Sequence, residues 1–396
     1  MVRASSEYWV WLSTALGVGY NADELIHFYG DAKNVFDAGY HQWILSGLVR
    51  KTAAERMKNY SLDEAKKTVA LCEENGWEIV TPDSEYYPYL LHEIHAKPLV
   101  LYVNGDVSVL KHPLPIAFVG TRDASANGIK IAEEYAYSLA KAGALIVSGG
   151  ALGIDSAAHM GALQAVADTI AFLGCGFLSD YLKSNKNLRD AISRHGACVS
   201  EFHPTAPANR GTFPIRNRLI AGISRATVVV EAGLRSGSLI TARYAMEENR
   251  DVFAFPGEVT SFNHLGTNKL IADGAYCVIS KESILNVYAH EYPDLINLDS
   301  LNDEYDPTMK IPPPEKPKKV EVRVKPKTPE KEPFDTSLLS DDNSVRVYGF
   351  LADTPKSVDE IVIESGMDAT DVLVALTDIE ICGGAKTLAG KRYIKA

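Results

Sequence analysis

Apolar and polar positions divide the chain into four textures. From residue 1 to about 75, apolar side chains recur three and four positions apart in EYWVWLSTAL, NADELIHFYG, HQWILSGLVR and SLDEAKKTVALCEENG, the spacing that lines one face of a helix. Asn21 and Ser61 stand where helix caps belong, and Gly76 where a helix stops. The turn in LGVGYNADELIHFYG predicts either a packed helical hairpin, the plainer reading, or a glycine hairpin of the helix-hairpin-helix (SAM-like) kind whose amides face a phosphate.

From 76 to about 290, short β-branched or apolar runs (PIAFVG, ALIVSGG, TIAFLG, ACVSEF, ATVVVEAG, DVFAFPG, AYCVIS) alternate with helical stretches. Nearly all-apolar strands alternating with helices predict a parallel sheet covered on both faces, an α/β, doubly wound, Rossmann-like fold. Several of these strands end in glycine, which opens the backbone at the carboxyl edge, where such sheets bind ligands. Residues 291–340 include KIPPPEKPKKVEVRVKPKTPEKEPFD, rich in proline and charge, and read as a solvated linker. Within that quoted stretch basic residues outnumber acidic ones, which leaves loose contact with a polyanion as the weaker reading. Residues 341–396 read as three helices and a hairpin, the outline of a winged helix. The third helix carries Asp368, Asp371, Asp378 and Glu380, while Lys386, Lys391, Arg392 and Lys395 fall in the wing. Base reading by that helix is disfavoured, and protein contact or weak backbone contact through the wing is expected.

Composition narrows the class. The 396 residues are 46% hydrophobic and 23% charged, ordinary for globular protein, and long enough for several domains. No apolar run approaches the ~18 residues of a membrane helix, and the N-terminus lacks the clean apolar core of a secretory signal. A cytoplasmic protein is expected. Cys72, Cys175, Cys198, Cys277 and Cys382 are scattered without a CxxC pair, so buried free thiols are expected and no metal or disulfide framework. The net charge of -11 argues against coating nucleic acid wholesale and leaves room for a local basic groove.

Candidate chemistry gathers at the predicted carboxyl edge. In IAFVGTRDASANG, a strand ends at Gly120, Thr121 and Arg122 follow, and Ser125 opens a helix. In LIVSGGALGIDSAAHMGAL, a glycine turn precedes Asp155 and His159, four apart on one helix face. A cap and a satisfied core histidine are favoured there over acid-base chemistry. LSDYLKSNKNL brings Tyr181, Lys183 and Asn185 to the same edge. FPIRNRLIAG predicts an extended approach through Pro214, then a helix from Asn217. Phe213 either stacks on a base or plugs the core. Arg216, Asn217 and Arg218 stand near the helix start, where guanidinium forks suit phosphate or carboxylate. Ser236, Gly237, Ser238 and Thr241 mark another helix start with free amides and hydroxyls. No Walker A pattern and no GxGxxG with a ribose-binding acid is present, so neither a nucleotide-driven motor nor a dinucleotide cofactor is indicated.

Together VGTRDASANG, VSGGALGIDSAAHMGAL, LGCGF, YLKSN, SEFHP, FPIRNRLIAGIS, VVVEAGLRSGSLITA, DVFAFPGEV and LGTNKLIADGA resemble the DNA-processing protein A (DprA/Smf) family, in order and spacing, over most of residues 80–280. The resemblance implies an extended Rossmann-like domain that binds single-stranded DNA, and a homodimer. It also implies loading of the RecA recombinase onto strands coated by single-strand-binding protein during natural transformation, without catalysis and without a cofactor. Carried over, Arg122 matches the arginine of a Gly-Ser-Arg motif, Lys183 the basic position after a Tyr-Pro pair, and Phe213, Arg216, Asn217 and Arg218 the Phe-Pro-x-Arg-Asn-Arg motif. The sequence departs at Thr121 for serine, at Gly150 for leucine, and at Leu182 for proline, which puts the loop shape around Lys183 in question. The runner-up is a phosphoribohydrolase-like enzyme on a related sheet, with Asp155, Glu201 and Glu231 as acids or bases beside Arg122. A third possibility is an interaction hub with a vestigial pocket.

Overall fold

The computed structural model describes residues 6–309, 339, 341–352, 356–388 and 392–395, without side chains at 182–184, 359, 387, 388 and 392. Residues 310–338 and 340 of the expected linker, 291–340, therefore lie outside the described residues. The chain forms two compact units, 1–315 and 316–396.

In the first unit, five helices open the chain: α1 (Ser6–Leu16), α2 (Asp23–Tyr29), α3 (Ala32–Ser46), α4 (Lys51–Asn59) and α5 (Leu62–Glu74). Ser61 caps α5 by accepting from the amide of Glu64. Ala22, not Asn21, is the cap residue of α2, and the Asn21 carboxamide instead accepts from Asp23 N. Trp9, Trp11, Trp43 and Met57 form the helical core, and Val100 and Tyr102 enter it from the sheet's edge. This core continues into the rest of the unit.

The sheet has nine strands: β1 (Glu78–Val80), β2 (Leu101–Gly105), β3 (Pro115–Val119), β4 (Leu145–Ser148), β5 (Thr169–Phe172), β6 (Ala197–Ser200), β7 (Ala226–Val229), β8 (Asp251–Ala254) and β9 (Tyr276–Cys277). Their order is β1-β2-β6-β5-β4-β3-β7-β8-β9. The seven strands from β6 to β9 in that order run parallel. β1 and β2 are additional and antiparallel; they extend the parallel sheet that the apolar runs predict. One face carries α7 (Ala126–Lys141), α8 (Ile154–Gln164) and α9 (Lys186–His195). The other carries α6 (Tyr89–His92), α10 (Thr212–Ile223), α11 (Ser238–Glu247) and α12 (Leu265–Ala272). Strands added after β3 move outward in one direction, and α10 then returns the chain to place β7 beside β3. That reversal opens a crevice at the carboxyl edge.

Past the sheet, α13 (Glu282–Leu285) leads into a segment that packs on the same core. Leu301 is buried, and Tyr292, Leu295 and Tyr305 pack alongside it. Residues 291–309, grouped with the linker by composition, are thus part of the folded unit. Their apolar residues are spaced too irregularly to signal an element. Of the thiols, Cys72, Cys175 and Cys198 are buried and free, whereas Cys277 is exposed on β9.

The second unit holds α14 (Asp342–Phe350), α15 (Val358–Ser365) and α16 (Ala369–Ile381), with β10 (Lys356–Ser357), β11 (Ala385–Leu388) and β12 (Arg392–Lys395) in a sheet ordered β10-β12-β11. Val347, Ile361, Val372 and Leu376 fill its core. Ser357 and Glu360 form a capping box at α15, and Asp368 caps α16. Three helices and a small antiparallel sheet give the winged-helix outline.

Candidate nucleic-acid interface

A cleft of about 730 Å³ opens at the reversal, between the carboxyl ends of β3, β4 and β7 and the starts of α10 and α11. β3 and β7 pair in register from Ile116↔Ala226 to Val119↔Val229, so Gly120 and the segment after Val229 leave the sheet side by side. Gly120, Thr121, Arg122, Phe213, Arg216, Asn217, Ser236, Gly237, Ser238 and Thr241 all line this cleft.

The helix α10 begins at Thr212, five residues before the start expected from the sequence. Pro214 falls within its first turn, where a missing N–H costs nothing. The helical period then puts Phe213, Arg216, Asn217 and Ile220 on one face, toward the cleft. Arg218 points away and does not line it, a correction to the expected set. Its Nη2 donates to Glu201 Oε2 in a buried ion pair. Burial pushes the Glu201 carboxyl up and Arg218 opposes this. A Cβ at Gly19 would lie 3.9 Å from Arg218 Nε and 3.4 Å from Ile215. The N-terminal glycine turn is therefore packed against α10, in keeping with the plainer of its two readings.

Arg216 is 4% exposed. Its Nη1 donates to Gly149 O at 2.6 Å and to Phe172 O, tying the ends of β4 and β5 together. Its Nε donates to Asn217 Oδ1 at 3.1 Å, and Asn217 Nδ2 donates to Gly237 O at 3.4 Å, which fixes α10 against the start of α11. A Cβ on Gly149 would sit 2.3 Å from Arg216 Nη1 and 2.6 Å from Asp155 Oδ2, so only glycine admits this approach. Burial lowers the pKa of Arg216 and raises that of Asp155, and each opposes the other's shift. Asp155 is not the helix cap expected. Gly153 is the cap residue, and Asp155 Oδ2 accepts from Ala151 N.

Arg122 is exposed. Its guanidinium lies 4.9 Å over the Phe213 ring, and Nη1 donates to Tyr181 Oη at 3.1 Å. The Tyr181 and Phe213 rings are 5.1 Å apart. A Cβ on Gly174 would come within 2.7 Å of the Phe213 ring, so that glycine gives the ring its seat. Phe213 is thus both a plug against the end of β5 and a platform for Arg122. Across the cleft, Ser236 and Ser238 hydroxyls pair at 2.8 Å at the start of α11. Tyr181, expected at this edge from its loop, lines the cleft, and so does Arg210, which was not expected and sits in a loop whose sequence carries no periodic signal. The backbone of Lys183 belongs to the loop that presents Tyr181, and its side chain lies outside the described residues. Asn185 Nδ2 anchors that loop by donating to Ser156 Oγ at 2.7 Å.

A family model for DNA recombination-mediator protein A matches residues 78–289, more than half of the chain. The chain belongs to the DNA recombination-mediator protein A family. A second model, the DprA winged helix domain, matches residues 326–391. DNA processing protein DprA of Streptococcus pneumoniae is 44% identical over 199 residues, 50% of this chain and 70% of that protein. The Bacillus subtilis DNA processing protein DprA is 36% identical over 55% of this chain and 73% of its own length. The crystal structure of the Streptococcus pneumoniae protein aligns with TM-score 0.60 and 35% identity, covering 71% of this chain and 97% of that one. The Helicobacter pylori DNA processing protein A, solved for its single-stranded DNA binding mode, aligns with TM-score 0.50 and 30% identity over 55% of this chain and 97% of that one.

Of the three carboxylates Asp155, Glu201 and Glu231, only Asp155 lines this DprA-family cleft, and all three are engaged. Glu231 accepts from Ser125 N at 2.9 Å, Ser125 Oγ at 2.5 Å and Asn263 Nδ2 at 3.1 Å. Glu201 is held by Arg218, and Asp155 by the glycine turn and Arg216. His159 is fully buried, with Nδ1 bonded to Thr169 Oγ1 at 2.8 Å. Burial, then Arg216, pushes its pKa down to about 3, so the ring is a neutral core group.

Proposed function

We propose that the cleft binds the backbone of single-stranded DNA and that the protein acts as a recombination mediator. One observation carries this reading. Arg122, seated on Phe213 and tethered by Tyr181, faces the start of α11 across an open groove at the sheet's carboxyl edge. A flat guanidinium opposite helix-terminal amides suits phosphate, and the neighbouring π surfaces suit unpaired bases. We assign further phosphate contacts to Arg210 and to Lys183. Family membership and the single-stranded DNA binding of the Helicobacter pylori relative support the same ligand.

The role extends to partners. The protein works in the cytoplasm as a homodimer and hands incoming strands coated by single-strand-binding protein to RecA during natural transformation. It does so without catalytic turnover, a reading supported by the internal contacts that hold Asp155, Glu201 and Glu231. Among the described residues no helix is long and apolar enough to cross a membrane.

The test pairs two measurements. Fluorescence anisotropy should show single-stranded DNA binding that weakens as salt rises and is lowered by Arg122→Ala. A filament assay on strands coated by single-strand-binding protein should show faster RecA loading when the protein is added. Retained affinity in Arg122→Ala removes the cleft from the pathway, and unchanged loading kinetics remove the mediator role.

A further inference from the structure

The loop between β5 and α9 has two sides. Tyr181 serves the cleft, while Phe177 and Ser179, just upstream, line a second cavity of about 280 Å³ whose other walls include Trp77, Asn104 and Arg189. Trp77 and Phe177 meet edge to face, with ring centroids 4.9 Å apart at 61°. Cys175 and Cys198 also line it, and burial raises both thiols' pKa values, so they are neutral walls. The charged groups divide unevenly. Lys186 pairs with Asp190 at 2.8 Å, and Asp180 has an interaction of its own. Arg189 Nη1 is buried with no hydrogen-bond partner.

A buried guanidinium nitrogen calls for an acceptor oxygen, since an unpaired polar group away from water is costly. Aromatic walls call for a flat π surface. Two carboxylates at the cavity disfavour a phosphate there. The volume lies just below the ~300–1,000 Å³ of small-molecule sites, which suits a single heterocycle. Single strands offer unstacked bases with free edges.

We infer that this cavity takes one nucleobase of the strand whose backbone occupies the cleft, with its ring against Trp77 and Phe177 and a carbonyl oxygen accepting from Arg189. The inference rests on the single-stranded DNA reading. It adds a base-selective position beside a backbone-reading cleft: thymine, guanine and cytosine carry a carbonyl oxygen, and adenine carries none.

Photo-crosslinking of the full-length protein to iodouracil-substituted oligothymidylate, with the crosslinked peptides mapped, tests the inference. Crosslinks at Trp77 or Phe177 are expected. Arg189→Met should weaken oligothymidylate binding about tenfold, the scale of one charge-assisted hydrogen bond, and leave oligoadenylate binding unchanged. A strand that binds at full affinity but crosslinks only at Tyr181 or Phe213 overturns the base pocket while the cleft reading stands. Equal loss for both oligonucleotides in Arg189→Met overturns it as well. Absence of strand binding by the unaltered protein removes the cleft reading and this inference together.

Discussion

At the scale of single residues, side chains of the same type do different work. Arg122 is exposed and supported from below, whereas Arg216 is buried and spans two strand ends. Arg122→Ala should therefore weaken single-stranded DNA binding by about 1–3 kcal/mol while leaving urea unfolding within ~0.5 kcal/mol of the parent. Arg216→Met should lower unfolding stability by about 2–3 kcal/mol, because two buried carbonyls lose their donor. Denaturation and anisotropy on both variants check the split. His159 gives a pH prediction. Its folded value of about 3 lies below the ordinary ~6.5, so in that window the unfolded chain takes up the proton and the folded chain does not. Its contribution is whole above the upper value and falls as pH drops, by up to about 1.4 kcal/mol per unit. His159→Gln should flatten that part of the decline, read from urea midpoints between neutral pH and about pH 4. Arg122 was legible as a cleft residue from its place just past the strand-ending Gly120, and Phe213 from the run FPIRNR. Whether Phe213 stacks or plugs could not be read, because that depends on the distant Gly174 and Tyr181. Arg210 was illegible because a lone loop arginine carries no pattern.

At the scale of elements, the start of α10 decides which arginine meets the cleft. An X-Pro pair reads as extended, but proline also fits the first turn of a helix, and here packing on the sheet selects the helix. With a period of 3.6 rather than 2, Arg216 and Arg218 point to different sides. Arg218 with Glu201 then fastens the helix's other side, beside the glycine turn of the N-terminal helices. Glu201→Ala should cost about 3–5 kcal/mol of stability, since it strands a buried guanidinium, whereas Arg218→Met with Glu201→Leu should cost less. The double variant should keep single-stranded DNA affinity near the parent's; a loss as large as that of Arg122→Ala would return Arg218 to the binding surface. Most of the parallel strands were legible because each is a short, nearly all-apolar run. β1 and β2 were not, since three residues of EIV carry too little periodicity and LVLYVNG gives no sign of direction.

At the scale of the whole molecule, an acidic chain binds a polyanion only where fold topology gathers its cations. The reversal of strand order beside β3 is what brings loops from β3, β5, β6 and β7 to one crevice. That convergence follows from strand sequence and crossover rules, so the location of the cleft was legible before its details were. The winged-helix unit has its own core, and the third of its helices is acid-rich. A protein ending at Glu315 retains the sheet, the cleft and their supporting helices, and should bind single strands within about threefold of the full chain. Salt dependence makes the comparison sharper. Each phosphate contact adds about 0.7 to the slope of log affinity against log salt, so Arg122, Arg210 and Lys183 together give about 2. If the wing lysines also touched the strand, the full chain would show a steeper slope than the truncated one. Equal slopes near that value are expected, measured by anisotropy across a salt series. A steeper slope for the full chain would move part of the DNA surface onto the C-terminal unit, because a contact made only there is lost with it.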